Sequence, residues 1–173
     1  MKLFLVRHGQ TEANAKKLFN GRNEKDLNDV GVNQVVNLIP EVEKLPIDLI
    51  IASPLKRTVH TANILNTKNL QLKTDDRLLE RDFKELTLKS TNLILDKSKL
   101  YNLGTYEEIE GIEAFQVVYD RVESFIQDIK IKYKDKNILI VTHGDIIVAF
   151  EMYFNKWKSK EYPKIAELIK HEL

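Results

Sequence analysis

The chain has no cysteine, which excludes a disulfide framework and any thiolate metal site and fits a reducing compartment, with the cytoplasm as the default location. It has no long apolar run. Leu3 to Val6 are interrupted by Arg7, too short a stretch for the core of a signal peptide, and nothing approaches the ~20 apolar residues of a membrane span. It has no charge bias either. Lys and Arg number 27 against 26 Asp and Glu, so neither nucleic acid nor an anionic membrane is called for as a partner, and any useful positive potential must be local. Glycine and proline are sparse, at 6 and 4, and no composition shift, repeat or Gly/Ser linker divides the chain. One domain over residues 1–173 is expected.

What is present is organised around short apolar runs. Leu3 to Val6, Asp48 to Ala52 and Asn137 to Thr142 are rich in Ile, Leu and Val and bounded by polar residues, as strands buried on both faces should be. Val32, Val35, Val36 and Ile39 recur at helical spacing, as do Phe115, Val118, Val122, Phe125, Ile126, Ile129 and Tyr133. Pro40 should kink or end the first of these helices. Strands alternating with helices predict an α/β fold, a three-layer α/β/α sandwich with a mostly parallel central sheet. Residues 89–112 keep no period and suit a surface excursion over a site.

Two of the strands end alike. The first runs into Arg7-His8-Gly9 and the last into Thr142-His143-Gly144, and in open parallel sheets ligands sit at the carboxyl ends of strands. Each glycine permits a sharp exit towards a helix start at Thr11 or Asp145. The segment SPLKR after the Asp48 to Ala52 strand places Ser53 as a helix cap, Pro54 at the first helical position and Arg57 about one turn on. Two imidazoles and two guanidiniums, from Arg7 and Arg57, thus gather at one edge, and guanidinium forks match phosphate oxygens. The expected ligand is a phosphate dianion. The rival is a metal triad of His8, His143 and a carboxylate, and two arginines beside it would repel the cation. A neutral His8 can attack phosphorus, and a carboxylic acid of raised pKa must supply the leaving group's proton. Glu80 in LLERDF fits, though spacing alone does not choose it over Asp76 or Asp82.

The segments LVRHGQTEAN, SPLKRTVHTA, LLERDF and VTHGD resemble, in order and over nearly the whole chain, those of the histidine phosphatase superfamily, the phosphoglycerate-mutase-like proteins. The resemblance implies His8 as the phosphorylated nucleophile, Arg7, Arg57 and His143 as the phosphoryl clamp, and Glu80 as proton donor. It adds Asn14, Gly21 and Arg22 as substrate-binding positions and implies neither metal nor cofactor. The brief excursion is similar to that of the phosphatase branch, which implies a metal-independent phosphomonoesterase acting on a small phosphorylated metabolite, as monomer or homodimer. The alternatives are a phosphoglycerate-type mutase and a phospho-ligand binding module. The tail KIAELIKHEL is similar to the family's closing strand. Lys84 and Leu88 stand where the family usually carries glycine. His171 is read as a surface residue, His60 as a helix-packing or surface residue, and Trp157, with Tyr153 and Phe154, as core or an oligomer contact.

Overall fold

The computed structural model describes residues 1–94, 100–108, 111–157 and 161–173. Its centre is one five-stranded sheet of order β3-β2-β4-β1-β5, made of β1 (Lys2–Arg7), β2 (Leu49–Ala52), β3 (Leu72–Thr74), β4 (Ile138–Thr142) and β5 (Leu168–Glu172). All neighbours are parallel except β5, which runs antiparallel to β1. The expected closing strand is therefore β5. β3 was not foreseen, because its three residues lie on the sheet edge and none is fully buried.

Alternation along β1 sets the layers. Leu3 and Leu5 point into one cluster with Val118 and Val122 of α4 (Phe115–Lys132) and Ile147 and Phe150 of α5 (Gly144–Tyr153). Phe4 and Val6 point into the other, with Val35 of α2 (Asp29–Val42) and Ala62 and Leu65 of α3 (Lys56–Leu65). Helices thus cover both faces, giving the three-layer sandwich, and each fully buried aliphatic side chain contributes about 1.5–3 kcal/mol. No helix among the described residues is long and apolar enough to cross a membrane.

Several local expectations need correction. Pro40 does not end α2. It lies near the helix's last turn, and the Glu43 amide still donates to the Ile39 carbonyl at 2.9 Å. Ser53 and Pro54 are not the start of α3, which is capped by Leu55 without a side-chain bond; the Ser53 hydroxyl is turned into the site instead. His171 is buried, stacked on Phe154 with ring centroids 4.2 Å apart and bonded to Glu151 at 2.6 Å. His60 is at the surface, paired with Asp26 at 2.9 Å.

Candidate active site

The register of β1 against β4 explains why two histidines meet. Arg7 pairs with Thr142, and the His8 amide donates to the Thr142 carbonyl at 3.1 Å. His8 and His143 are therefore the next residues of adjacent parallel strands, and their rings stand edge to face with centroids 5.2 Å apart. The Ser53 amide, one strand further, donates to the Val141 carbonyl at 3.0 Å, so β2, β4 and β1 deliver Ser53, His143 and His8 side by side.

The glycines that follow serve a different purpose from the expected sharp exit. Neither Gly9 nor Gly144 has positive φ. A Cβ on Gly9 would lie 2.5 Å from the Gly31 carbonyl oxygen, and one on Gly144 would lie 2.1 Å from the Tyr162 hydroxyl. They are needed for close approach.

Hydrogen bonds fix the ring forms. His8 Nδ1 lies 2.7 Å from the Gly9 carbonyl oxygen, an acceptor only, so Nδ1 carries the proton and Nε2 the lone pair. Arg57 Nε donates to that Nε2 at 3.2 Å, and its Nη2 lies 3.2 Å from His143 Nδ1. The other His143 nitrogen, Nε2, lies 2.8 Å from the Ser53 hydroxyl. Arg57 is fully buried, and it also donates to the carbonyls of Asn23 at 2.8 Å and Gly21 at 2.7 Å. Gly21 adopts φ +53° to turn its carbonyl there.

Burial shifts both imidazoles, Arg57 and Glu80. It is the main reason both imidazoles are held well below the usual histidine value, Arg57 being the next cause in each case. It brings the Arg57 guanidinium down to about 10, which leaves it charged at neutral pH. Glu80, only 4 % exposed, is pushed up to about 7, chiefly by burial and then by the charge of Asp145. Of the three carboxylates that spacing left open, Glu80 alone lines the cavity with His8 and Arg7.

Arg57 also bears on the metal alternative. Its cation bonds to the ring nitrogens that His8 and His143 would turn to a metal, and among the described residues no group of three His, Cys, Asp or Glu side chains could hold one.

Arg7 is held from the C-terminal side. Its Nη1 donates to the Pro163 carbonyl at 2.6 Å, its guanidinium lies 4.9 Å from the Tyr162 ring centroid, and the Tyr162 hydroxyl donates to Asp145 at 2.8 Å. Tyr162, Asp145 and Tyr101, which also donates to Asp145 at 3.3 Å, line the cavity and were not anticipated as site residues. One signal was available: a tail strand antiparallel to β1 must be preceded by a segment passing the carboxyl end of β1. Trp157 also lines the cavity, which corrects its reading as only a core or contact residue.

The weaker candidates divide. Asn14 lines the cavity, and its Oδ1 also accepts the Thr11 amide at 3.1 Å, capping α1 (Glu12–Ala15). Gly21 touches the site through its carbonyl to Arg57. Arg22 is drawn aside, donating to the Glu80 carbonyl at 3.0 Å and to Glu113 at 3.1 Å. Of the excursion, Thr91, Ile94, Leu100, Tyr101 and Asn102 line the cavity, while residues 95–99 and 109–110 lie outside the described residues. Lys84 and Leu88 keep the left-handed backbone expected of glycine, with φ 43° and 63°. The Lys84 ammonium pairs with Glu108 rather than entering the cavity.

A family model for the histidine phosphatase superfamily (branch 1) matches residues 3–167. The chain belongs to that superfamily. It is 30% identical over 149 residues to phosphoserine phosphatase 1 of Hydrogenobacter thermophilus, covering 83% of this chain and 71% of that protein. It is 29% identical over 153 residues to adenosylcobalamin/alpha-ribazole phosphatase of Escherichia coli, covering 85% and 75%. In fold it matches a mycobacterial glucosyl-3-phosphoglycerate phosphatase with a TM-score of 0.86 at 22% identity, over 98% of this chain and 91% of that one. As a histidine phosphatase the protein is a phosphoric monoester hydrolase, and its substrate is a phosphorylated molecule.

Proposed function

We propose that the protein is a metal-independent phosphomonoesterase working through a phosphohistidine on Nε2 of His8. The observation that carries this is the His8 tautomer: Nδ1 is committed to the Gly9 carbonyl at 2.7 Å, so Nε2 faces Arg57 with its lone pair. In the first half-reaction the phosphoryl group replaces Nε2 as acceptor of the Arg57 Nε–H. Nε2 then bonds to phosphorus, and the ester P–O bond breaks. Its electron pair stays on the leaving oxygen, which takes the Glu80 proton. In the second, the Glu80 carboxylate takes a proton from water, the water oxygen bonds to phosphorus, and the P–N bond breaks to return the lone pair to His8. Arg7, Arg57 and His143 hold the equatorial oxygens, whose charge needs fixed positive partners.

Support for the hydrolase over a binding module comes from Lys84 and Leu88, whose backbones keep the loop's left-handed shape despite the loss of glycine. We place the enzyme in the cytoplasm on the strength of its cysteine-free composition, and read it as one domain, monomeric or homodimeric.

The test is a panel of phosphate monoesters, with and without a chelator, on wild type and His8→Ala. Hydrolysis should survive chelation, disappear in the variant, and pass through an acid-labile, base-stable phosphoryl group on the protein. Turnover retained by His8→Ala, or abolished by the chelator, would refute the mechanism.

A further inference from the structure

The space in front of His8 is larger than a phosphate or a three-carbon acid requires. Its volume is 860 Å³, within the ~300–1,000 Å³ typical of sites that take drug-sized ligands. Beyond Arg7, His8 and Glu80, much of its wall is aromatic and aliphatic. Phe19 stacks on Phe83 with centroids 4.6 Å apart, and Tyr101 meets Trp157 at 6.0 Å; Ile94 and Leu100 join them on the wall.

Of the cations on that wall, Arg81 is mostly engaged within the protein, although its Nη2 has no hydrogen-bond partner. Arg81 is buried and donates to the carbonyls of Glu113 at 2.6 Å and Leu100 at 2.7 Å, with Asp145 at 3.7 Å. Arg7 is given to the phosphoryl group in the proposed mechanism. Lys17 also lines the cavity, but it is an exposed residue, where water weakens its attraction for an anion. Glu80 and Asp145 are acidic and buried. A second carboxylate on the substrate would lose its water against a largely apolar wall. An apolar group would shed water against the aromatic and aliphatic side chains instead.

We infer that the preferred substrate is a phosphate monoester of a bulky apolar or aromatic alcohol without a second anionic group, its leaving group seated against Phe19, Phe83 and Trp157. This rests on the phosphomonoesterase reading. Esters of one leaving-group type test it: 3-phenylpropyl phosphate, ethyl phosphate and phosphoserine are all primary alkyl esters, so their intrinsic reactivities are comparable. The phenylpropyl ester should have a kcat/KM at least ~10-fold above the other two. Phe19→Ala and Trp157→Ala should each raise its KM about 5- to 10-fold while leaving ethyl phosphate within about twofold. Calorimetric titration of His8→Ala protein with the same esters reads affinity without turnover. If phenylpropyl phosphate binds most tightly and nothing is hydrolysed by wild type, the hydrolase reading falls and the assignment of the apolar wall stands. If wild type hydrolyses phosphoserine or ethyl phosphate as well as the phenylpropyl ester, or better, the hydrolase reading stands and this inference is overturned.

Discussion

Glu80→Gln should make the protein more stable above neutral pH while disabling it. Burial is the chief cause that pushes the Glu80 carboxyl up to about 7, the Asp145 charge adds to it, and Arg57 and Arg7 oppose it. An unfolded chain has an ordinary glutamate near 4.5. Below that value both states hold the proton and nothing is lost. As pH rises from 4.5 towards 7, the unfolded state has released a proton that the folded state keeps, so stability falls with pH; beyond 7 the loss is complete, on the order of 3 kcal/mol. Glutamine has nearly the same shape and no charge, and its oxygen can still accept the Arg81 amide that Glu80 accepts at 3.0 Å. The variant and wild type should therefore unfold alike near pH 4.5. With an m-value of ~2 kcal/mol/M, the variant's urea midpoint should lie roughly 1.5 M above that of wild type by pH 8. His8 and His143 tilt the other way, because their lowered pKa values give stability present above 6.5 and lost as pH falls through the folded-state values. They are common to both proteins, so the difference between the two curves isolates Glu80. In activity, wild-type kcat/KM should fall as pH rises through about 7 and the acid ionises. Glu80→Gln should lose ~10²- to 10⁴-fold on alkyl esters below pH 7, and the gap should narrow above 7 as wild type loses its acid. A midpoint difference that stays flat from pH 4.5 to 8 would refute the reasoning, because Glu80 would then titrate as an exposed carboxylate.

Two further substitutions probe the backbone around the site. Leu88→Gly should stabilise the protein by about 0–1 kcal/mol, because Leu88 sits at φ 63°, where a side chain costs about 1–2 kcal/mol and glycine returns about 0.5–1 kcal/mol of that in chain entropy; a lower melting temperature would show that its side-chain packing outweighs the strain. Gly144→Ala should destabilise by about 1–3 kcal/mol and reduce kcat/KM, since its Cβ would lie 2.1 Å from the Tyr162 hydroxyl. Tyr162→Ala in the same background should recover stability but not activity, as Arg7 loses the ring it lies against.

The central strands and the two histidines were legible because the physics there is local and strong. β1, β2 and β4 are buried on both faces and read as unbroken apolar runs, and in a parallel sheet their carboxyl ends share one edge. Glu80 was legible as a type of group but not as a position; three carboxylates fitted the spacing, and only packing decides which is desolvated. Ser53 shows the limit of local capping rules. Its hydroxyl suits a helix start, yet it lies 2.8 Å from His143 Nε2, and a buried imidazole without a partner would cost more than an uncapped helix. His171 is similar: isolated in sequence near the terminus, it is buried because β5 pairs with β1 and places it opposite Leu3. Tyr162 and Asp145 are brought together over 17 residues by the return of the tail. That contact depends on the sheet's edge order, which no single segment encodes.

Taken together with the proposed mechanism, these shifts share one origin. Desolvation penalises charge of either sign, so it moves imidazoles down and a carboxyl up, and both become neutral at neutral pH. A neutral imidazole is the competent nucleophile, and a neutral carboxyl is the competent acid; one buried pocket prepares both. Arg57 escapes neutralisation because even when lowered to about 10 it keeps its proton. The resting site thus carries permanent positive charge from Arg7 and Arg57 without a competing imidazolium. A phosphate dianion entering it raises the proton affinity of every neighbour. Glu80 then holds its proton more firmly until the ester bond begins to break, and His143 gains a proton affinity suited to donating to a phosphoryl oxygen. His8 is protected from the same effect at Nδ1, already donating to Gly9, and at Nε2 by the approaching phosphorus itself. On this logic the substrate's own charge sets the acid and leaves the nucleophile free.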